Sequence, residues 1–354
     1  MTNTVIVTLF SLFVLAFIAI GGIASSKLTT ESTFLSISQT NWLRSVAILT
    51  IMFSHFLPLV GLTYDDGILS FSLNLGIIGV AIFFLLSGYS LMISKIKKPN
   101  YLKGFIKKRL VRLYVPFLIV YILDVIVMLI MGKQIVLKDI LFIPLMSLPG
   151  VLNWYLKVQL GLYIVFYILA RLIKNNNFLI TSTFAICIIY MIIGLFTGIT
   201  AHWYEGVFAF PLGMLIAQNK ECVFTFLSRR YIIALIASIV VFGCCFLPYY
   251  IFGGTLFEIL FIFGFLQFVV CLCAKFAGAP RSKIFTYLGV ISLELYLVHT
   301  VINSNFISIV HFEKQTTLIG IVVLLCFLLG SIVVSVIVKR LSDKTSSFLL
   351  KQKR

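Results

Sequence analysis

The chain has few charged residues, and acidic ones are the scarcest. Only 11% of its 354 residues are charged, whereas 61% are hydrophobic. A soluble protein with this balance and a mean hydropathy of +1.14 would aggregate. No polar stretch is long enough to form a separate globular domain. These absences exclude a soluble protein and predict an all-α integral membrane protein with one membrane domain.

The chain also lacks a soluble basic face, although its net charge is +17. Its basic residues lie in short loops between apolar runs, as the positive-inside rule describes, so we expect no nucleic-acid partner. The seven cysteines lack zinc-ligand spacing with a histidine, and we predict structural thiols and no metal site. No internal repeat with a period of about 20–50 residues and no low-complexity segment is evident.

Apolar runs of spanning length predict a bundle of about eleven transmembrane helices. The runs are 4–24, 42–60, 74–94, 113–131, 154–172, 178–197, 203–218, 231–250, 255–274, 286–309 and 317–338. Of the 28 lysines and arginines, 23 lie in one set of alternating loops and four in the opposite set. This asymmetry predicts an amino terminus outside and a carboxyl terminus in the cytoplasm. For the first run, a cleaved signal peptide is the alternative to a retained span.

Two ionisable residues lie within one apolar run. Residues 41–55 read NWLRSVAILTIMFSH, which separates Arg44 from His55 by eleven positions. On an α-helix this spacing brings both side chains to the same face, about 16 Å apart along the axis. Ionisable residues within a span are functional candidates because their burial in lipid is costly. We predict a buried polar path that leads from the membrane surface inward along this face.

His55 and Arg44 are the catalytic candidates. A neutral imidazole at the depth of His55 suits a general base, provided that a cavity reaches it. The alternative is a structural histidine that is hydrogen-bonded between helices. A guanidinium near the cytoplasmic interface, as Arg44 supplies, suits the binding of an anionic substrate at the mouth of that cavity. The alternative for Arg44 is a snorkelling anchor.

A basic cluster precedes the fourth apolar run. Residues 95–116 read KIKKPNYLKGFIKKRLVRLYVP, and Arg109 and Arg112 lie three positions apart on one helix face. Two guanidiniums in this arrangement suit a multiply charged phosphate ligand. Membrane anchoring through lipid headgroups is the alternative explanation.

Several other polar side chains within the runs are candidates for lining a cavity, with structural hydrogen bonding as their alternative role. They are Ser87, Tyr89, Glu258, Glu294, Tyr296 and His299. Tyr296 and His299 share one helix face, whereas Glu294 points elsewhere and needs a partner of its own. This much internal polarity implies a hydrated cavity rather than a fully packed bundle.

Two of the aromatic and small-residue motifs have plain structural explanations. Ser87 and the adjacent Gly88 suit close packing between helices. Trp154 and Tyr155 begin a predicted span at its outer end, where interfacial aromatics are expected whatever the function.

Four motifs occur in order on successive runs. The first is a basic residue followed after ten intervening positions by a histidine, and the second is an FF-x-LSG-aromatic segment. The third is R-x-x-R before Tyr and Pro, and the fourth is S-x-x-LYL-x-H. In this sequence they are Arg44 with His55, residues 83–89, Arg109 with Arg112, and residues 292–299. Together they resemble the membrane-bound acyltransferase-3 family, the bacterial O-acyltransferases that modify cell-surface polysaccharides.

The resemblance extends over about residues 40–340 and divides the chain into three parts. Residues 1–40 hold an additional amino-terminal span and a cytoplasmic link, residues 41–340 are acyltransferase-3-like, and residues 341–354 are a basic cytoplasmic tail. The additional span raises the count from ten to eleven. The motif also opens with NWLR, where the family more often has an acidic residue, as in LDGLR. No hydrolase-like domain follows, so we expect the membrane domain or a separate protein to complete transfer.

The resemblance implies an O-acyltransferase in the bacterial cytoplasmic membrane. Its donor would be cytoplasmic acyl-CoA, with acetyl as the default group and succinyl open, and its acceptor a hydroxyl of a surface polysaccharide or lipid-linked precursor. Arg109 and Arg112 would bind the donor, which is a co-substrate and not a resident cofactor. His55 would act as general base or transient acyl carrier. Either route also requires an oxyanion stabiliser, for which Ser87, Tyr89 and Tyr296 are the candidates.

A proton-coupled transporter or flippase of a glycan or small metabolite is the main alternative function. The intramembrane histidines and carboxylates would then relay protons. No inverted repeat or pair of broken helices is evident in the sequence to favour this alternative. An inert scaffold of an export machine is a third possibility.

Overall fold

The computed structural model describes residues 8, 9, 12, 28–60, 67–134, 154–276, 283–305 and 317–351. Within these ranges the protein is helical, and one isolated bridge between Leu28 and Phe276 is the only β-type pairing. The α-helices are α1 Ile37–Phe56, α2 Leu75–Lys97, α3 Phe105–Ile130, α4 Trp154–Leu172, α5 Asn176–Thr197, α6 Ala209–Gln218, α7 Lys220–Arg229, α8 Tyr231–Phe252, α9 Thr255–Lys275, α10 Lys283–Val290, α11 Ser292–Asn305 and α12 Thr317–Lys351. Short 3₁₀ segments are Leu57–Val60, Gly67–Asn74, Ala201–Trp203 and Glu205–Phe208.

Eight helices within the described ranges are long and apolar enough to cross a membrane, which makes this a multi-pass membrane protein. They are α1, α2, α3, α4, α5, α8, α9 and α12, and each coincides with one of the predicted runs. The first predicted run, 4–24, lies almost entirely outside the described residues. The count of eleven and the orientation of the termini stay predictions.

The predicted run 203–218 and residues 286–305, the described part of the predicted run 286–309, form shorter elements instead of single spanning helices. In the first, 3₁₀ turns precede the ten-residue α6, whose first turn contains Pro211. Proline is tolerated there because the missing N–H has no intrahelical partner in that turn. In the second, α10 and α11 are separated at Ile291. Gly289 fixes α10 against α1, since a Cβ there would lie 1.9 Å from the Asn41 carbonyl oxygen.

The most buried helices carry the motifs. Among the eight long helices α2 is the most buried and α8 the least. Helix α2 packs along α6 and α1, and α1 also contacts α10 and α11. Helix α12 packs against α3 and α11, and α8 pairs with α9 at the periphery. The α1 face that carries Arg44 and His55 is therefore enclosed by other helices and not by lipid.

Two glycines make the crossing of α2 and α6 unusually close. A Cβ on Gly88 would lie 1.9 Å from the Phe210 carbonyl oxygen, and a Cβ on Gly213 would lie 2.0 Å from the Leu85 carbonyl oxygen. Backbone atoms occupy both positions, so neither side can yield locally. The LSG motif therefore serves helix packing at Gly88, the structural role that the sequence left open.

We expect Gly88→Val to destabilise the protein strongly, by about 3 kcal/mol, because the added side chain overpacks a backbone contact. Thermal unfolding of detergent-purified protein measures the effect. Gly243→Val is the matched control, since a Cβ at that position on α8 meets nothing within 4 Å. Equal melting temperatures for the two variants would show that the crossing is not tight.

Candidate active site

A cavity of about 670 Å³ reaches His55 at the end of α1. We name it the histidine cavity. Among the residues that line it are Ser54, His55, Asn74, Trp154, His202, Glu258, Tyr296 and Asn303. His55 lies deep in the protein, yet its side chain is exposed because this cavity opens onto it. The condition for a histidine to act as a base at this depth is therefore met.

His55 and His299 form a direct imidazole pair. The Nδ1 atom of His55 lies 2.9 Å from Nε2 of His299, and the ring centroids are 5.1 Å apart with the ring planes 18° from parallel. On its other side, Nδ1 of His299 lies 2.9 Å from the carbonyl oxygen of Leu295. Asn303 donates from Nδ2 to the His55 carbonyl oxygen at 3.2 Å, which ties the end of α1 to α11.

These contacts determine the tautomers of the pair. A carbonyl oxygen only accepts, so Nδ1 of His299 carries its proton and Nε2 of the neutral ring is an acceptor. His55 must then donate from Nδ1, and its Nε2 is left with a free lone pair. His299 thus orients His55, and the Leu295 carbonyl oxygen orients His299. Sites that activate a nucleophile use the same chain of three groups, in which the first is the base. The pair is built to take one proton at His55 Nε2.

Aromatic rings surround the imidazole pair. The ring of Tyr296 packs against the rings of His299 and Tyr155, with centroid separations of 5.7 Å and 5.1 Å. Trp154 lies edge-on to His202 at 5.0 Å, and both line the histidine cavity. Partial burial lowers the pKa of His202 below its ordinary value, because the charged ring would lose hydration. His202 is therefore a neutral hydrogen-bonding group at pH 7.

Glu258 lines the same cavity and has an acidic partner. Its side chain hydrogen-bonds that of Glu205, which is 2% exposed and also bonds Thr255. Through Glu258, this acidic pair brings carboxyl oxygens to the histidine cavity, where they can accept hydrogen bonds.

A second cavity, of about 600 Å³, lies at the opposite end of α1 and contains Arg44. We name it the arginine cavity. Arg44 donates from Nη1 to Asn41 Oδ1 at 2.9 Å, and no carboxylate within the described ranges pairs with it. The NWLR sequence thus gives Arg44 a neutral partner where the family more often has an acid. Its charge is left uncompensated and available to an anion.

The arginine cavity also contains Arg112 and Glu294. Glu294 has Lys339 as its partner, with 3.6 Å between Oε1 and Nζ, and Ser342 donates to the same oxygen at 3.4 Å. Its other oxygen, Oε2, is buried and has no hydrogen-bond partner within the described ranges. Sequence analysis required a separate partner for Glu294, and α12 provides it.

A third cavity, of about 620 Å³, adjoins the basic cluster and is named the lysine cavity. Its lining includes Lys97, Lys98, Tyr101, Phe105, Lys108, Arg109 and Arg112. Arg109 donates to the Tyr101 hydroxyl at 2.6 Å and lies over the Phe105 and Tyr163 rings. Arg112 is exposed, lines both the lysine and the arginine cavity, and makes no hydrogen bond or ion pair to any described residue.

The structure places Arg44 and His55 in different cavities, separated by packed side chains. Ile48, one turn from Arg44 on the same face of α1, is fully buried. Tyr155 lies within electrostatic range of Arg44 and contacts Tyr296 of the histidine cavity. Of the residues predicted to line a cavity, Ser87, Tyr89 and the fully buried His299 line none of the three cavities. The polar path predicted along α1 is thus interrupted over about 10 Å, or two helical turns.

Sequence reasoning did not identify Glu205, His202 or Tyr155 as site residues. The sequence does indicate Glu205 as a candidate, since a lone carboxylate in an apolar stretch is often functional. It does not indicate Tyr155, because tyrosines are common at membrane interfaces.

Comparison with known families assigns the chain to one of them. The family model described as an acyltransferase domain matches residues 37–340, most of the chain. No curated protein and no solved structure shows a significant match. The matched region contains the imidazole pair, both arginines of the basic cluster and most of the residues of all three cavities. The chain therefore belongs to the acyltransferase-3 family of membrane acyltransferases.

Proposed function

We propose that this protein transfers an acyl group, acetyl by default, from acyl-CoA to a hydroxyl of a cell-surface polysaccharide or its lipid-linked precursor. Its site of action would be the cytoplasmic membrane of a bacterium. One observation carries the proposal: a single helix, α1, presents Arg44 to a basic cavity at one end and the oriented imidazole His55 to a polar cavity at the other. Donor and acceptor would approach from opposite ends.

The basic end suits the CoA donor. Arg112 lines both of its cavities, so a pyrophosphate at Arg112 would extend one way into the lysine cavity and the other way into the arginine cavity. The lysine cavity offers cations for the ribose phosphate and the rings of Tyr101 and Phe105 for the adenine. The uncharged pantetheine arm would lie in the arginine cavity, directed toward α1.

The histidine cavity suits a sugar hydroxyl. Trp154 supplies an apolar ring, while Glu258, His202 and Asn303 supply carboxyl, imidazole and amide groups. A few polar groups among aromatic ones are typical of small-molecule sites, and these can bond hydroxyls as donors or acceptors.

In the proposed chemistry, His55 and the two substrates account for every bond and proton, and the oxyanion needs a stabilising group as well. His55 Nε2 takes the proton of the acceptor hydroxyl, whose oxygen attacks the thioester carbonyl carbon. The carbon–sulfur bond then breaks, and the CoA thiolate receives the proton from His55. His299 Nε2 accepts from His55 Nδ1–H throughout and stabilises the transient imidazolium. In the alternative route, His55 Nε2 first accepts the acyl group and then yields it to the hydroxyl.

Transfer requires a movement that joins the two ends. Ile48 and the contact between Tyr155 and Tyr296 separate the arginine cavity from the histidine cavity. The thioester reaches His55 only when Ile48 and the two tyrosines move apart. Closure in the absence of acceptor would keep the bound thioester away from water in the histidine cavity, a common function of gating steps.

Mass spectrometry of surface glycans from cells with and without the gene tests the proposal. We expect an acyl-sized mass to be lost from one glycan in the deletion strain and restored by the wild-type chain. Purified protein should also release CoA thiol from acyl-CoA when that glycan or its precursor is added. Unchanged glycans in the deletion strain, together with substrate movement that depends on a proton gradient and not on CoA, would establish a transporter instead.

A further inference from the structure

The last helix continues past the region that the family model matches. Helix α12 extends to Lys351, whereas the match ends at residue 340. We name residues 341–351 the C-terminal extension. It is held against the core at two points. Ser342 donates to Glu294 Oε1 at 3.4 Å, and Lys107 donates from Nζ to the Leu349 carbonyl oxygen at 2.9 Å.

The C-terminal extension forms one wall of the basic end. Ser342, Ser346 and Leu350 lie at intervals of four residues on one helix face, and all three line the arginine cavity. Leu350 lines the lysine cavity as well, as Arg112 does. The extension therefore borders the point where the two cavities meet, opposite the arginines.

The chemistry of this wall is complementary to an uncharged amide chain. Its hydroxyl groups can donate to amide carbonyl oxygens and accept from amide N–H groups. Glu294 lines the same cavity, and its Oε2 is a buried acceptor with no partner within the described ranges. A buried carboxylate oxygen without a donor is costly, so this atom indicates a ligand that brings N–H or O–H groups.

We infer that the C-terminal extension binds the pantetheine arm of the CoA donor, with Ser346 and Glu294 bonding its amide and hydroxyl groups. This inference rests on the proposed function, because it requires CoA as the donor. It adds a binding element outside the family-matched region. It also divides the donor site: nucleotide in the lysine cavity, pantetheine in the arginine cavity.

Ligand binding to purified full-length protein in nanodiscs tests this division. The probes are CoA and adenosine 3′,5′-bisphosphate, which lacks the pantetheine arm. Ser346→Trp fills the arginine cavity, and we expect it to weaken CoA binding about tenfold while the bisphosphate binds within about twofold of wild type. Thr345→Trp is the matched control, since Thr345 is exposed on the same helix and lines neither cavity.

Each outcome is decisive. Loss of CoA affinity alone, with normal binding by Thr345→Trp, supports the inference. Equal loss for both probes, or no loss for either, overturns it. If Ser346→Trp does not fold, Ser346→Ala decides by the same comparison, with an expected loss for CoA of about threefold. A wild-type protein that binds neither probe would instead contradict the proposed function, so the two failures are distinguishable.

Discussion

His55→Ala is expected to lower acyl transfer by about 10³-fold or more while leaving the folded protein in the membrane. The variant removes His55 Nε2, the imidazole lone pair that the tautomers of the pair leave free in the histidine cavity. Loss of a positioned base typically costs about 10²–10⁴-fold, and loss of an acyl carrier costs at least as much. CoA release and glycan acylation, measured at matched protein levels, give the result.

Variants of His299 separate orientation from packing. His299→Gln keeps an amide oxygen that can accept from His55 Nδ1–H, whereas His299→Leu has a similar volume and no acceptor. We expect His299→Leu to lose more activity than His299→Gln, because only the former leaves the His55 tautomer undetermined. Equal losses for the two would show that His299 acts by shape alone.

Folding must be excluded as the cause of any loss. The His55 side chain is exposed to the cavity, so truncation creates little new void, and we expect a melting temperature close to that of wild type. Normal turnover by a well-folded His55→Ala variant would contradict both routes of the proposed chemistry.

The eight long helices could be predicted from the sequence because an apolar run of that length indicates a membrane-spanning helix. The spacing within residues 41–55 predicts that Arg44 and His55 share one helix face. The structure shows the arginine cavity at one end of that face and the histidine cavity at the other. The imidazole pair could not be predicted in the same way. His55 and His299 are 244 positions apart, and a periodic pattern carries no information on which helices touch.

Short elements were harder to predict for a physical reason. Hydropathy predicts spans from length and composition, but many apolar residues in 203–218 and 286–305 are buried in protein. Glycine contacts such as that of Gly289 with Asn41 decide their course, and these contacts are between backbones. The interaction of Glu205 with Glu258 could not be predicted from the sequence, because Glu258 lies on α9, beyond α7 and α8 in the chain.

Arg112→Ala is expected to weaken donor binding by about 10–100-fold and to change the turnover rate at saturating acyl-CoA much less. Arg112 lines both basic cavities and has no hydrogen bond or ion pair with any described residue, so its charge is free for a phosphate. A charge-assisted hydrogen bond contributes about 1.5–3 kcal/mol, which corresponds to this range of affinity. Titration of CoA into purified protein measures it.

Arg109 lies on the same helix face as Arg112 but makes contacts within the protein. Its guanidinium bonds Tyr101 and covers two aromatic rings, so Arg109→Ala removes packing as well as charge. The sequence alone predicts that this variant mainly weakens donor binding. The contacts lead us to expect lower thermal stability too, and Arg112→Ala is therefore the cleaner test of the phosphate site.

Lys103→Ala is the matched control for Arg112→Ala. Lys103 is exposed and belongs to the same basic cluster, but it lines neither basic cavity. If general attraction of the basic surface for an anion explained binding, the two variants would weaken CoA equally, and the loss would vanish at high salt. A specific phosphate contact predicts instead that Arg112→Ala alone is impaired and that Arg112→Lys recovers only part of the affinity, since an ammonium cannot bond a phosphate through two parallel N–H groups.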